Sequence, residues 1–170
     1  CHAPHASSRK GLLKKYVHEP FESGMCDTCH TVDEGKQIHV NDSIQDTCLM
    51  CHDDKESKED KQVHAGFEMS SCPDCHTPHT SDVYRLLKSP VTETCMECHD
   101  AKEVEKHPYD VVPSKKVKVN KDKPWLLTEN QITCTSCHEP HQGRHPKMLR
   151  EPLDKGALCY DCHQNPLGGK

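Results

Sequence analysis

Hydrophobic residues are sparse along this chain and occur in short groups between polar stretches. In the clearest group, Val83, Leu86 and Leu87 are spaced so that they share one face of a helix. We therefore predict a short amphipathic helix over 81–88, which Pro90 would end.

A second pattern lies in the long gap between Asp100 and Thr133. Valine alternates with lysine over 115–123, and this period of two predicts a short exposed strand or hairpin. Its lysines could contact an acidic partner, although a solvated surface element is the commoner role of such a charge run. Trp125 follows directly, and we expect it to anchor this insertion or to cover the edge of a bound cofactor.

The composition does not supply an ordinary hydrophobic core. Only 32% of the 170 residues are hydrophobic, 4% are aromatic, and the mean hydropathy is −0.89. Such a chain cannot bury enough apolar surface to offset its conformational entropy unless something else provides a core. The net charge of −5 disfavours nucleic acid as a partner. We also expect no transmembrane segment, because no apolar run approaches the roughly 18 residues that span a bilayer.

Twelve of the thirteen cysteines fall in six C-x-x-C-H motifs, which are typical of covalent c-type haem sites. On one helical turn the two thiols and the histidine share a face, so the thiols can bond the porphyrin edge while the imidazole reaches the iron. The paired thiols are Cys26 and Cys29, Cys48 and Cys51, Cys72 and Cys75, Cys95 and Cys98, Cys134 and Cys137, and Cys159 and Cys162. The iron ligands within the motifs are His30, His52, His76, His99, His138 and His163.

Three other uses of cysteine fit less well. A disulfide framework explains an even number of cysteines but not a histidine after every pair. Zinc ribbons also use C-x-x-C, yet they rarely place a histidine beside every pair. A thioredoxin-like C-x-x-C is expected once, near a βαβ pattern, and the sequence has none. Haem c with its iron is therefore the expected cofactor. The porphyrins would form the core of a mostly irregular fold with short α-helices and little or no β-sheet.

Three segments share the longer pattern C-H-x-P-H, followed by an apolar pair and then by a further C-x-x-C-H. These segments begin at Cys1, Cys75 and Cys137, and they define a repeat of roughly 30 residues. The arrangement resembles the doubled C-x-x-C-H family of multihaem cytochromes c over nearly the whole chain.

We divide the chain on this pattern into three parts, expected to pack as one haem-filled unit. Residues 1–52 hold a first doubled repeat and an extra haem site, and 53–99 hold a second doubled repeat. Residues 100–170 hold an insertion and a third doubled repeat. The site at Cys48–His52 departs from the pattern, because no C-H-x-P-H segment accompanies it.

Nine further histidines nearly match the number of second axial ligands that the irons need. They are His2, His5, His18, His39, His64, His79, His107, His141 and His145. His18 and His64 lie eight residues before a haem site and His39 lies nine before one, each after a hydrophobic residue. This near-constant placement favours distal ligands, so we predict low-spin bis-histidine irons throughout.

His79 cannot bind the iron of its own site, because it lies only three residues beyond His76 and the distal face is across the porphyrin. Pro78 also disfavours a helical conformation in the residue before it, which directs His79 away. We expect His79 to bind the iron of a neighbouring haem, and the same argument applies to His5 and His141.

Irons with two imidazole ligands have no open position, so they pass electrons without binding substrate. We therefore expect electron transfer and no enzyme activity. The resemblance implies export to the periplasm or the cell exterior, and the haem density is similar to that of extracellular cytochromes that polymerise into filaments. The expected partners are other redox proteins or copies of the chain itself, in a homopolymer with a ligand donated across the junction.

Two alternatives stay open. The first is a monomeric periplasmic electron shuttle, in which His145 completes the last iron. The second is a multihaem reductase of a small nitrogen or sulfur oxyanion, which needs one iron with a vacant or displaceable position. All six motifs end in histidine, and none is the variant C-x-x-C-K that often marks such an iron.

Cys1 has two interpretations. A lipidated cysteine, as at the start of a mature bacterial lipoprotein, would explain residue 1 by itself. The alignment of Cys1-His2 with the other C-H-x-P-H segments favours the end of a seventh haem site, whose upstream cysteine would belong to a longer chain. We therefore expect six or seven haems.

Overall fold

The computed structural model describes the following parts of the chain: residue 7 and residues 10–52, 61–104 and 108–163. The contacts divide the chain into two units, 1–56 with 69–90 (the first unit) and 57–68 with 91–170 (the second unit). Helices in the described residues are four to six residues long and strands two or three.

The regular elements are short and are distributed along the whole described chain. The α-helices are α1 (Glu19–Glu22), α2 (Ile44–Leu49), α3 (Ala65–Met69), α4 (Cys72–Cys75), α5 (Val91–Met96), α6 (Ala101–Val104), α7 (Cys134–Cys137) and α8 (Ala157–Tyr160). The strands are β1 (Tyr16–Val17), β2 (His30–Val32), β3 (Ile38–Val40), β4 (Gln62–Val63), β5 (Thr80–Ser81) and β6 (Gln142–Gly143). Single 3-10 turns cover Lys10–Leu12, Cys26–Thr28, Tyr84–Leu86, Pro124–Leu126, Pro146–Met148 and Asp154–Gly156.

The strands form antiparallel pairs within each unit. In the first unit β1 pairs with β5, and β2 pairs with β3 as a hairpin. In the second unit β4 pairs with β6. The β1–β5 pair joins the segment before the Cys26 motif to the segment after the Cys72 motif. The β4–β6 pair joins the segment before the Cys72 motif to the segment after the Cys134 motif. Both pairs bring together parts of the chain that are distant in sequence.

A helical turn at the haem motifs is confirmed. In five of the six motifs the histidine N–H donates to the carbonyl of the first cysteine, at 2.9 to 3.1 Å. At the start of α4, the Asp74 side chain accepts a hydrogen bond from the Ser71 N–H at 2.7 Å. At the start of α7, the Ser136 hydroxyl accepts from the Thr133 N–H at 2.9 Å. These bonds satisfy donors that such short helices would otherwise leave unpaired.

The predicted helix over 81–88 is wrong. Arg85 and Leu86 both have φ of +58°, and left-handed residues cannot continue a right-handed helix. They instead turn the chain back, so that Leu87 forms an antiparallel bridge with His76. The apolar residues of the pattern are nevertheless half-buried, so their spacing predicted burial but not conformation.

The predicted strand over 115–123 is also wrong. These residues form turns and irregular structure, with the Val117 N–H donating to the Ser114 carbonyl at 2.8 Å. The alternation does match exposure, because Val117 and Val119 are half-buried while Lys118 is exposed.

Few apolar side chains are buried by the polypeptide itself. Among the described residues, the buried hydrophobic side chains are Val91, Leu126 and Leu149, all in the second unit. In the first unit, Val32 is 64% exposed and Ile38 is 70% exposed. That the porphyrins provide the core stays a proposal.

Candidate haem sites

Three motif histidines are oriented by a hydrogen bond of the same kind. In each, the ring Nδ1 lies within hydrogen-bond distance of the backbone carbonyl nine residues later. The distances are 3.2 Å from His30 to His39, 3.0 Å from His76 to Arg85 and 2.8 Å from His138 to Lys147. Because a carbonyl can only accept, Nδ1 carries the proton, and the Nε2 lone pair is free to bind a metal.

Two of these accepting carbonyls, those of Arg85 and Lys147, lie in turns with left-handed backbone. Arg85 and Leu86 have φ of +58°, and so do Lys147 and Met148. The turn explains why the apolar pair after each C-H-x-P-H segment is not helical: it returns the chain to the histidine. Gly11 and Leu12 adopt the same conformation, with φ of +72° and +57°.

Three pairs of imidazole rings lie close together, each joining a motif histidine to one of the predicted distal ligands. The ring centres are 6.1 Å apart for His18 and His52, 5.9 Å for His79 and His30, and 6.1 Å for His64 and His99. An iron bonded at about 2 Å to a nitrogen of each ring would place the two ring centres about 6 Å apart. The pairs therefore have the spacing of two axial ligands on one metal.

The electrostatic environment favours neutral imidazoles in these pairs. Burial, and then the neighbouring His52, lower the pKa of His18. The pKa of His64 is lowered in the same way, by burial and then by His99. Burial followed by His30 lowers the pKa of His79. A neutral imidazole keeps the lone pair that metal binding requires.

The predicted distal histidines are held by the β pairings. The His18 N–H donates to the His79 carbonyl at 2.9 Å, and the His64 N–H donates to the His141 carbonyl at 2.9 Å. The ring of His79 packs against Phe21 with ring centres 5.0 Å apart. The two units therefore repeat one arrangement, because His141 likewise packs against a phenylalanine, Phe67, at 5.3 Å.

Thiols of different motifs also lie side by side. Burial, and then the Cys72 thiol, raise the pKa of Cys48 to about 11. A hydrogen bond from Cys95 lowers the pKa of Cys134 to about 6, although burial opposes this shift. The helices that carry these cysteines contact each other, α2 with α4 and α5 with α7.

Two further pairs of motifs are near enough for their thiols to interact electrostatically. The Cys29 thiol also raises the pKa of Cys48, after burial and Cys72. Burial and then Cys162 raise the pKa of Cys137. In the first unit the motif beginning at Cys48 therefore lies next to those beginning at Cys26 and Cys72. In the second unit the motif beginning at Cys134 lies next to those beginning at Cys95 and Cys159.

Comparison with known families gives a match to the doubled CXXCH motif at residues 18–57, 64–104 and 127–167, which is more than half of the chain. The chain belongs to this family. It is a multihaem c-type cytochrome, with covalently bound haem c and its iron, and it transfers electrons. In a comparison with curated proteins no relative matched.

The matched stretches group the haem motifs of the cytochrome. The first stretch contains the motifs at Cys26 and Cys48, which the C-H-x-P-H pattern had not paired. Residues 105–126 are not matched, and they contain most of the insertion before Cys134. Within the described residues, no helix has the length and apolar character needed to cross a bilayer.

The residues present fit haem c, as the β2–β3 hairpin shows. His30 faces Val40 across the hairpin and Val32 faces Ile38, so all four side chains lie on one side of it. This exposed apolar side carries the iron-binding imidazole and offers the surface that a porphyrin needs. The thiols would hold each haem and the imidazoles its iron, which supplies one-electron redox chemistry.

Two orphaned polar atoms lie beside haem motifs. In the described part of the chain, Thr47 Oγ1 and Trp125 Nε1 are buried without a hydrogen-bond partner. Thr47 directly precedes Cys48, and the 3-10 turn that contains Trp125 contacts α7. The guanidinium of Arg150 lies 5.8 Å from the centre of the Trp125 ring. Trp125 therefore anchors the insertion on the Cys134 motif.

The remaining candidate ligands have different surroundings. His39 Nε2 lies 2.9 Å from the Asp33 carboxylate, and this hydrogen bond lowers the pKa of Asp33. The His39 ring is on the opposite side of the hairpin from His30. His145 is half-buried and precedes a 3-10 turn. Iron binding by both stays a prediction. Cys1, His2, His5 and His107 lie outside the described residues.

Phe21 and Phe67 lie outside the haem motifs, yet each contacts a histidine at the site. Each lies three residues after a distal histidine, in His18-Glu19-Pro20-Phe21 and in His64-Ala65-Gly66-Phe67. This recurrent H-x-x-F was the available signal. Each phenylalanine packs on the histidine of a later C-H-x-P-H segment, so it positions a predicted ligand that is distant in sequence.

Proposed function

We propose that this cytochrome conducts electrons along consecutive bis-histidine haems and has no enzyme activity of its own. The observation that carries the proposal is the set of three imidazole pairs, each with ring centres 5.9 to 6.1 Å apart. An iron held between two such rings has no position left for a substrate. Two imidazole ligands also set a lower potential than a histidine and a methionine would.

The neighbouring thiols support a continuous path within each unit. Thioethers mark one edge of a porphyrin, so contact between the thiols of two motifs implies that the attached haems are close at that edge. In the first unit the path would run through the motifs at Cys26, Cys48 and Cys72. In the second unit it would run through those at Cys95, Cys134 and Cys159.

Spectroscopy of the oxidised protein tests this function. Electron paramagnetic resonance should show low-spin ferric haems, and near-infrared magnetic circular dichroism should give the bis-histidine charge-transfer band. A redox titration should show every haem reduced at low potential. A high-spin signal from one whole haem, with turnover of nitrite or hydroxylamine, would instead support the multihaem reductase.

We further propose that the cytochrome acts outside the cytoplasm, in the periplasm or outside the cell, and that copies stack into a filament. The repeated strand pairing supports stacking, because the segment of His18 pairs with that of His79 as the segment of His64 pairs with that of His141. A pairing that joins one repeat to the next can in principle join one chain to another. Such head-to-tail contact is heterologous and gives an open filament unless the rotation closes a ring.

Electron microscopy of the native material tests the filament. Extended particles with a regular axial repeat are expected. Discrete globular particles at every concentration would overturn the filament and support the monomeric periplasmic shuttle, while leaving the bis-histidine path in place.

A further inference from the structure

The insertion before the Cys134 motif forms an open groove of about 740 Å³. We call it the insertion groove. Its floor is apolar and includes Val117, Leu126 and Leu127, and its rim carries Lys115, Lys118 and Lys121. The volume lies in the range of about 300–1,000 Å³ that is usual for sites of small ligands.

The lining of the insertion groove differs from the residues that would hold the haems. No cysteine or histidine of any motif lines it. An antiparallel bridge between Val111 and Ile132 closes the base of the insertion, and the Ile132 N–H donates to the Val111 carbonyl at 2.8 Å. Most of the lining residues also fall in 105–126, which the family match leaves out. The groove is therefore a feature of this chain rather than of the doubled motif.

The charge of the insertion is opposite to that of the chain. Residues 112–131 contain five lysines against Asp122 and Glu129, whereas the chain as a whole carries −5. Lys123 is engaged inside the fold with Glu151 and Asp161, at 2.8 and 2.9 Å. The lysines of the rim are exposed around the apolar floor. A concave apolar surface with a positive rim attracts an anion that can also bury a flat apolar body.

We propose that the insertion groove binds a small aromatic molecule that carries anionic groups. Its rings would cover the valine and leucine floor, and its anionic groups would pair with the lysine rim. The Asn120 N–H donates to the Asp161 carbonyl at 2.9 Å, so the bound molecule would lie beside the Cys159–Cys162 pair. This site does not depend on how the irons are ligated.

Calorimetric titration of the full-length holoprotein with naphthalenedisulfonate tests the site. One saturable site is expected, with an affinity that falls as salt is added, because exposed ion pairs are screened. Neutral naphthol should bind more weakly. Lys118→Glu and Lys121→Glu should each weaken binding about tenfold, since each change removes an attraction and adds a repulsion.

Lys116→Glu is the matched control, because Lys116 lies in the same insertion with the same charge but does not line the groove. It should leave the affinity within about twofold of the parent protein, since an exposed charge away from the ligand contributes little. Equal weakening by Lys116→Glu would show non-specific attraction and overturn the proposal. Absence of saturable binding would also overturn it, as would displacement of the probe by polyglutamate at the same charge concentration, which would indicate an acidic protein partner. Loss of one haem from Lys118→Glu in a pyridine haemochrome assay would show that the groove holds a haem and would also overturn the proposal.

Discussion

The ring of His18 lies 6.1 Å from the ring of His52, centre to centre, with 20° between the ring planes. His18 precedes the Cys26 motif in the sequence, yet it faces the histidine of the next motif along the chain. His64 repeats the relationship, because it precedes the Cys72 motif and faces His99. His18 and His64 are therefore each placed to serve the second motif of their own doubled repeat. His79 differs, because it lies beside His30 of the first motif in the preceding repeat.

Replacement of His18 by alanine should open the iron of the Cys48 motif. We expect one haem to become high-spin and the reduced protein to bind one equivalent of carbon monoxide, with the other haems unchanged. Electron paramagnetic resonance and a carbon monoxide difference spectrum measure both effects.

His39→Ala is the comparison variant for His18→Ala. The His39 ring contacts Asp33 on the side of the hairpin away from His30, so this variant should keep the haems of the Cys26 and Cys48 motifs low-spin. One high-spin haem in His39→Ala, with none in His18→Ala, would contradict the pairing and support His39 as a ligand.

Gly66→Ala should disturb the His64 ligand while favouring the local helix. A Cβ at Gly66 would lie 3.0 Å from Cε1 and 3.1 Å from Nδ1 of His64, closer than carbon atoms normally pack. Alanine in α3 should add up to about 1 kcal/mol of helix stability. We therefore expect a shifted low-spin signal from the Cys95 haem without loss of thermal stability.

Gly35→Ala controls for the added methyl group. There the nearest atom is Oδ1 of the Asp33 carboxylate at 3.3 Å, which can move aside. Its spectrum should match that of the parent protein. An unchanged spectrum in Gly66→Ala as well would mean that His64 is not held in the observed position.

Local chemistry could be predicted from this sequence, and long-range pairing could not. Two thiols and a histidine within five residues define a haem site by themselves, so all six motifs were recognisable. Spacing predicted His18 as a distal ligand but not that its ring lies beside His52, because that approach depends on the long-range folding of the first unit. The turn at Arg85 and Leu86 was hidden by a helical spacing of apolar residues. The glycine at the equivalent position, Gly11, was the signal for left-handed backbone.

The ion pairs of Lys123 should hold the insertion on the last haem motif. Its ammonium lies 2.8 Å from Glu151 and 2.9 Å from Asp161, whose side chain is only 7% exposed. Lys123→Met would leave the Asp161 carboxylate without this partner, and we expect a loss of about 2 kcal/mol of stability. Denaturant unfolding measures it, with Lys116→Met as the control that should have little effect.

The contribution of Lys123 should also depend on pH. Burial acts to lower the pKa of Lys123, but hydrogen bonds to Glu151 and Asp161 outweigh it, so the pKa is raised above 10.5. Its stabilisation is therefore complete below that pH and is lost as the pH rises through the higher folded-state value. The difference in stability between the parent and Lys123→Met should shrink above pH 10.5. A difference that stayed constant there would contradict the ion pairs.

A seventh haem is predicted at Cys1. Gly11 and Leu12 have the left-handed conformation of Arg85 and Leu86, whose turn accepts the hydrogen bond of a motif histidine nine residues earlier. The residue nine before Gly11 is His2, which lies outside the described residues. Intact mass and a pyridine haemochrome assay on the full-length native protein should give seven haems, and a lipid on Cys1 with six haems would support the lipoprotein interpretation.

Comparison of the third doubled repeat with the first two predicts which histidine binds the iron of the Cys159 motif, the last motif in the sequence. His18 and His64 lie eight residues before Cys26 and Cys72, but the residue at that distance before Cys134 is Leu126, which is buried. The bridge between Val111 and Ile132 closes the insertion at its base, so residues 112–131 are an excursion from the repeat. If residues 112–131 were removed, the distance from His107 to Cys134 would be within one residue of the eight-residue distance found for His18 and His64.

By the rule of the first two repeats, His107 should bind the iron of His163. His107→Ala should therefore produce one high-spin haem that binds carbon monoxide, whereas His145→Ala should produce none. The reverse result would support the shuttle, in which His145 completes the last iron. A third outcome is that neither variant changes the spectrum of the assembled protein, while dilution to single chains creates one high-spin haem. In that case the ligand comes from another copy of the chain, and the junction between copies in the filament is a haem site.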